Sequence, residues 1–458
     1  MFCTVASIFL AIAGCPNADN QEYPNVMIEQ GQDEEATSPH PAIDTITQFF
    51  GTLVGSGPYP GVRSTYGGTE LMAQLSQINQ DLDLLIGHGR TEKYYKEHNF
   101  AVKSPHILLS GKMEGTGFIA IDASGRPSSN IGLTGAELDI LAAYKAVTAF
   151  MVIQYENFPS PIINNRIANQ NLFLDVAFVT LGDLNQFPMY TTIGQTFVPF
   201  GQYNSYNGFN NPLTEILFRT LANDGTVGFY TDHFLGQFFF FKGSSHADSG
   251  NNINNFGFNL GTHFKTEHTK TLWQVSFIRN VADSLGMQLA FANSRNTNTL
   301  NHVVPGINTN ISFAVGDHWH FVGEYNGSLR SFSVADMGYS TNGGRTFSGA
   351  RPQAFDIEAS YQFQIGERPS GLSLGWSQTF EAVGFNLPRW RLDLTWATYI
   401  FKNTLLSLEY MHNKLYGKND IATGQLAFGR GGSIPYYRNP INKGNSDNTL
   451  TLDLSFYW

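Results

Sequence analysis

After Asn99 the hydrophobic pattern has a period of two. Its clearest stretch is the last, where Leu450, Leu452, Leu454, Phe456 and Trp458 alternate with Thr451, Asp453, Ser455 and Tyr457. Successive side chains of a strand point to opposite faces, so this alternation predicts a strand with one apolar and one polar face. The same pattern recurs at 107–114, 256–264, 307–315, 355–365 and 390–396. Weaker strands are predicted near 137–144, 147–157, 171–181, 190–199, 225–232, 235–242, 270–280, 319–328, 369–380 and 404–412.

With the final segment this makes about sixteen strands, and the links between them alternate in length. Gly316-Asp317, Lys402-Asn403 and Gly366 to Arg368 are short; Gly201 to Asp224, Val281 to Gly306, Ser331 to Arg351 and Asn413 to Ser446 are long. An even strand number, with tight turns on one side and long loops on the other, predicts an all-β chain. The expected fold is a transmembrane antiparallel β-barrel of about sixteen strands over residues 100–458, in the bacterial outer membrane. The aromatic C-terminus, Trp458, resembles the terminal signature of such proteins and sits where an interfacial girdle residue belongs.

Ahead of the barrel the pattern changes. Leu71, Leu75, Ile78, Leu82 and Leu85 follow spacings of four and three, which predicts a short periplasmic helix over 69–90. Two heptads suit a coiled-coil stub that would join a homotrimer, or an amphipathic helix docked on the barrel or a partner. Residues 16–68, rich in Pro, Gly and acidic groups, read as a periplasmic linker. Phe2 to Gly14 is apolar or small throughout and reads as the core of a signal peptide spanning 1–15. Ala11-Ile12-Ala13 offers ordinary cleavage, whereas Ile12-Ala13-Gly14-Cys15 resembles a lipobox in which Cys15 is lipidated. Downstream there is no run of about 18 apolar residues, so only a closed barrel can satisfy backbone hydrogen bonds in lipid.

Composition agrees. Only 14% of the 458 residues are charged and 14% are aromatic, the remainder being rich in Gly, Asn, Ser, Thr and Gln. That mixture suits an apolar outside and an uncharged polar lumen. The net charge of -10 argues against nucleic acid. Both cysteines, Cys3 and Cys15, lie at the extreme N-terminus, so the body holds no thiolate site. Neither a phosphate-binding loop nor a nucleophile elbow is present, so no enzyme and no cofactor is expected. His318 and His320 share a strand face beside a turn and read as interfacial histidines. Phe238 to Phe241 reads as girdle plus lumen packing.

By alternation the lumen receives Lys112, Lys265, Arg389 and Arg391 together with Glu114, Asp175, Glu324, Asp356, Glu358, Asp393 and Glu409. Salt bridges across the lumen are the expected role for most of them. Arg389 and Arg391 are two residues apart, so they point the same way at the outer mouth. Paired guanidiniums suit carboxylate recognition. The last long loop adds Lys414, Lys418, Arg430, Tyr436, Tyr437, Arg438 and Lys443. Arg389, Arg391, Arg430, Tyr437 and Arg438 are therefore the candidate ligand-binding set for an anion, lipopolysaccharide phosphates being the alternative occupant.

Gly61-Val62-Arg63-Ser64, the leucine heptads, the segment Ile193-Gly194-Gln195-Thr196-Phe197-Val198-Pro199-Phe200-Gly201, and Asn280-Val281-Ala282-Asp283-Ser284 together resemble the legiobactin-receptor, or siderophore-porin, family over residue 50 to the end. The resemblance implies a barrel importing a ferric polycarboxylate siderophore. About 360 residues cannot build both a 22-stranded barrel and a plug domain of the TonB-dependent kind, so uptake without such a plug is expected. The competing expectations are a general or hydrocarbon-selective diffusion porin and a surface adhesin.

Overall fold

A computed structural model describes residues 46–49, 52–56, 78–87, 105–156, 172–243, 252–293, 300–366, 368–401, 403–424 and 444–458. Sixteen antiparallel strands close into one barrel. They are β1 (His106–Ile121), β2 (Pro127–Tyr144), β3 (Val147–Glu156), β4 (Leu172–Gly182), β5 (Met189–Phe197), β6 (Leu221–Tyr230), β7 (Phe234–Phe241) and β8 (Asn255–Lys265). There follow β9 (Thr269–Ile278), β10 (Gly306–Val315), β11 (Trp319–Ser328), β12 (Gln353–Ile365), β13 (Arg368–Phe380), β14 (Trp390–Phe401), β15 (Thr404–Lys414) and β16 (Ser446–Tyr457). Each strand pairs with its neighbours in sequence, and β16 closes on β1 from Asn448↔Ile121 to Tyr457↔Lys112. The links at the end holding the C-terminus run two to six residues. Among the described residues no helix is long and apolar enough to cross a membrane.

Alternation settles which face is outward. On β16, Leu450, Leu452 and Leu454 are 44–49% exposed, while Thr451, Asp453 and Ser455 are 1–2% exposed. Aromatic side chains collect at both rims, as interfacial anchors do. At the short-turn end Trp319 lies 4.9 Å from Tyr361 and Phe456 lies 6.0 Å from Trp458, centroid to centroid. At the opposite end Trp376 and Trp390 stack at 4.7 Å. Phe238 and Phe240 face out while Phe239 and Phe241 are buried inward, so the four-phenylalanine run serves both faces.

The first two strands are longer than their sequence pattern implies. Gly111, Gly115, Gly117, Gly132 and Gly135 interrupt the alternation, yet β1 and β2 pair from Ile107↔Ala142 up to Ile121↔Pro127. The hairpin turns at Asp122, whose carboxylate accepts from the Ser124 and Arg126 backbone amides. Hydrogen bonds from Ser124 and Arg126 hold that carboxyl down at about 2. Gly125 takes a φ of +80°, a conformation that favours glycine.

The lumen wall is not uniformly polar. From β8 to β16 it carries Asn259, Asn308, Gln362, Arg391, Glu409 and their like. From β3 to β7 it also carries Phe150, Val152, Val176, Phe178, Tyr190 and Phe239, set among polar residues such as Thr180, Thr192 and Gln237. Two elements cover this apolar sector. One is the 198–220 connection, which folds inward between β5 and β6. The other is a helix over 80–87, here α1, whose Leu82 and Leu85 are buried with Tyr190, Tyr230, Leu235 and Leu272. Ile78, Leu82 and Leu85 therefore face the inside of the barrel and are not free to form the seam of a coiled coil; Leu71 and Leu75 lie outside the described residues. Within the expected linker, Ile46–Phe49 and Thr52–Ser56 form a hairpin whose second strand runs parallel to β1, Leu53 opposite His106.

Candidate functional site

The 198–220 connection leaves β5 at Phe197 and turns at Pro199-Phe200-Gly201. Gly201 has a φ of +96°, and a side chain there would meet the Tyr203 ring and Glu324, so glycine is required on both counts. Phe197, Val198 and Phe200 are buried with Phe150 and Phe178 of the apolar wall. The return limb holds helix α2 (Leu213–Phe218), begun at Pro212, with Leu213, Leu217 and Phe218 fully buried. Glu215 pairs with Arg219, whose guanidinium lies 3.7 Å over the Phe197 ring. Burial pushes the Glu215 carboxyl above its ordinary value, against the opposing pull of Arg219.

The tip of the loop crosses the lumen to the polar wall. Glu324 on β11 accepts from the Gln202 and Tyr203 amides at 3.1 and 2.7 Å. Glu358 on β12 accepts from the Tyr206 amide and the Ser205 hydroxyl, both at 2.7 Å, and from the Asn207 side chain at 3.2 Å. Ser373 on β13 donates to the Tyr206 carbonyl at 3.0 Å. Glu409 on β15 accepts from the Phe209 amide at 2.7 Å and from both nitrogens of Asn210. Arg391 on β14 donates to the Asn211 carbonyl at 2.8 Å and to Asn413 at 2.9 Å. A loop folded into a barrel has no ladder of its own, so its amides must find acceptors elsewhere. Five consecutive strands supply partners for the tip.

Close approach is built in on both sides. A Cβ at Gly208 would stand 2.7 Å from the Ser407 Cβ, and one at Gly375 would stand 2.7 Å from the Asn207 Nδ2. The inward glutamates therefore differ from the expected salt bridges across the lumen: Glu324, Glu358 and Glu409 take amide and hydroxyl donors. Lys112 and Glu114, 2.5 Å apart, do form an ion pair. His320 is buried with its ring centroid 5.8 Å from that of Tyr206, while His318 is exposed at the turn. Among the described residues no group of His, Cys, Asp and Glu could hold a metal ion.

The candidate ligand set is divided by the structure. Arg389 is exposed at the outer end of β14, whereas Arg391 is buried and its guanidinium holds the 198–220 connection, which crosses the lumen and is called here the constriction loop. They do not form the exposed pair that alternation implied. Arg430, Tyr437, Arg438 and Cys15 lie outside the described residues. Sequence reasoning placed Glu324, Glu358 and Glu409 in the lumen but missed their role. The only signal was an excess of inward acids over inward cations.

No protein-family model matches the chain. A UPF0422 protein of Coxiella burnetii is 30% identical over 420 residues, which cover 90% of this chain and 85% of that one. The chain belongs to the UPF0422 family. A second UPF0422 protein, from Legionella pneumophila strain Paris, is 31% identical over 396 residues, 83% of this chain and 72% of its own length. Among solved structures, an anion-selective porin from Comamonas acidovorans superposes with a TM-score of 0.51 at 10% identity, covering 77% of this chain and all of that one. The UPF0422 chain thus has the porin barrel fold and is a protein of the bacterial outer membrane.

Two further features of this UPF0422 barrel bear on its mouth. The segments 193–201 and 280–284 converge at the base of the constriction loop, where the Ser284 hydroxyl donates to the Leu217 carbonyl at 2.7 Å and Val281 joins the cluster of Phe200. The outer loops from β11 to β16 are tied together by a small sheet of Gly338–Ser340, Ser348–Gly349 and Ile421–Thr423. On these loops Arg330, Arg345, Arg351, Arg389 and Lys418 are exposed. The acids there are engaged in hydrogen bonds: Asp336 is buried, half-buried Glu381 accepts from the Arg351 amide at 2.6 Å, and half-buried Asp420 accepts from Tyr339 and Gly417.

Proposed function

We propose that this chain is a constricted outer-membrane pore that captures a ferric polycarboxylate siderophore at a cationic outer mouth. The observation that carries the reading is the sorting of charge on the outer loops. An acidic chain exposes Arg330, Arg345, Arg351, Arg389 and Lys418 there, whereas Asp336 is buried and Glu381 and Asp420 are half-buried and take up neighbouring hydrogen-bond donors. Such a surface concentrates anions. The resemblance to the siderophore-porin family supports a chelate as the anion. In this reading Arg389, Arg430, Tyr437 and Arg438 contact the ligand, and Arg391 acts on it through the loop it holds.

Direct binding of ferric carboxylate chelates to the purified barrel tests this, with ferric hydroxamates and lipopolysaccharide as comparison ligands. Arg389→Glu is expected to weaken the carboxylate chelate by about tenfold or more, since it replaces a charge-assisted bond with a repulsion. Unaltered affinity in Arg389→Glu, or no preference for carboxylate chelates, would remove the proposal. Planar-bilayer conductance separates any pore from an adhesin.

A further inference from the structure

Apolar side chains on the inner face of a water-filled pore gain nothing by being there. The UPF0422 barrel nevertheless turns Tyr190, Tyr230, Leu235 and Leu272 inward near its short-turn end. Leu82 and Leu85 of α1 are buried against this collar. The Leu85 Cδ1 lies 3.4 Å from where a Cβ of Gly182 would be, so the helix presses on the wall at a position without a side chain. One turn higher, Ile78 joins the cluster of Phe150, Val152, Val176 and Phe178.

Polar contacts set the height of the helix. The Thr192 hydroxyl on β5 donates to the Asp81 carboxylate at 2.6 Å. The Asn79 side chain donates to Gln202 of the constriction loop at 3.3 Å. Asn79 itself takes a φ of 60°, the left-handed conformation in which asparagine is enriched, just before the helix begins. Eight residues of helix have little stability alone in water, so α1 owes its form to the barrel interior. Its docking free energy is then the net of a few leucine contacts and two hydrogen bonds against the entropy of ordering it. A balance of that kind is easily tipped.

We propose that α1 is a built-in plug, seated in the short-turn half of the lumen beneath the constriction loop, and that its departure opens the pore. This rests on the pore reading above. It assigns the leucine seam an intramolecular partner and makes the inward collar its seat.

The test is single-channel recording on the full chain in planar bilayers, in a Cys3→Ser/Cys15→Ser background. Asp81→Cys/Thr192→Cys should form a disulfide in the folded barrel. Oxidation should lower conductance by about tenfold or more, with recovery on reduction, because locking one state removes the other. Leu82→Asn/Leu85→Asn should raise the open fraction by about tenfold, by weakening the seat. Heat-modifiable mobility in gels confirms that each variant still forms the barrel. Equal conductance in oxidised, reduced and leucine-substituted forms overturns the plug and leaves the pore reading standing. Where the disulfide does not form, the leucine-substituted channel decides alone, and parental conductance in Leu82→Asn/Leu85→Asn overturns the plug. Silence in every form, with the barrel intact, removes the pore reading and the plug with it.

Discussion

Glu358→Ala/Glu409→Ala is expected to raise the single-channel conductance of the open pore by about twofold or more and to widen its solute cut-off. Glu358 accepts from Ser205, Tyr206 and Asn207, and Glu409 from Phe209 and Asn210. Each hydrogen bond to a carboxyl contributes about 1–3 kcal/mol, so the tip loses several kcal/mol of anchorage. Ordering each loop residue costs about 1–2 kcal/mol of backbone entropy. What remains on residues 205–210 is the Ser373 bond to the Tyr206 carbonyl and the buried Tyr206 ring. Against the ordering entropy of the whole tip these are too little, so the tip leaves the lumen. The base of the loop stays, because Phe200, Leu213, Leu217 and Phe218 remain buried. The wall stays too, since β12 and β15 keep their ladders. Glu358→Gln should fall between, having one oxygen left to accept. Conductance indistinguishable from the parent would mean that these glutamates do not hold the constriction.

Gly111→Leu is expected to lower the yield of folded barrel by about tenfold, an effect of 1–3 kcal/mol or more at a packed position. The barrel closes where Gly111 and Trp458 exchange backbone hydrogen bonds of 3.0 and 3.1 Å. The Trp458 indole lies directly over Gly111, and the Glu137 carbonyl stands beside it on β2. A Cβ there collides with both, and a backbone carbonyl within a sheet cannot move aside. The last strand would then fail to complete the ring, leaving two unpaired edges in lipid, which has no water to satisfy them. The measurement is the heat-modifiable band in unboiled gels of outer-membrane fractions. A parental band in Gly111→Leu would show that closure tolerates bulk at this seam.

Much of the fold was legible in the sequence because a strand between lipid and lumen must alternate. β8, β10, β12, β14 and β16 follow that rule almost residue by residue. The upper halves of β1 and β2 were hidden because glycines carry no hydropathy signal, although the backbone pairs through them. The seam of Ile78, Leu82 and Leu85 was equally legible as a helix with one apolar stripe. A stripe does not say what covers it, so a partner helix and the barrel interior were indistinguishable.

The site was readable only as a list. Alternation put Glu324, Glu358 and Glu409 inside and suggested cations as their partners. Their donors lie 122, 152 and 200 residues away, on a loop whose own pattern carries no strand or helix period long enough to place it. Arg389 and Arg391 show the same limit. Spacing put them on one face, but burial by Asn211 and Asn413 decided that Arg391 holds the loop while Arg389 meets solvent. What the chain determined by itself was local: which face of each strand is apolar, where the turns come, and that a short helix has one greasy side. What only the tertiary structure decided was the use of the lumen, because a barrel wall brings distant residues together by ring closure, and ring closure leaves no trace in the spacing of neighbours.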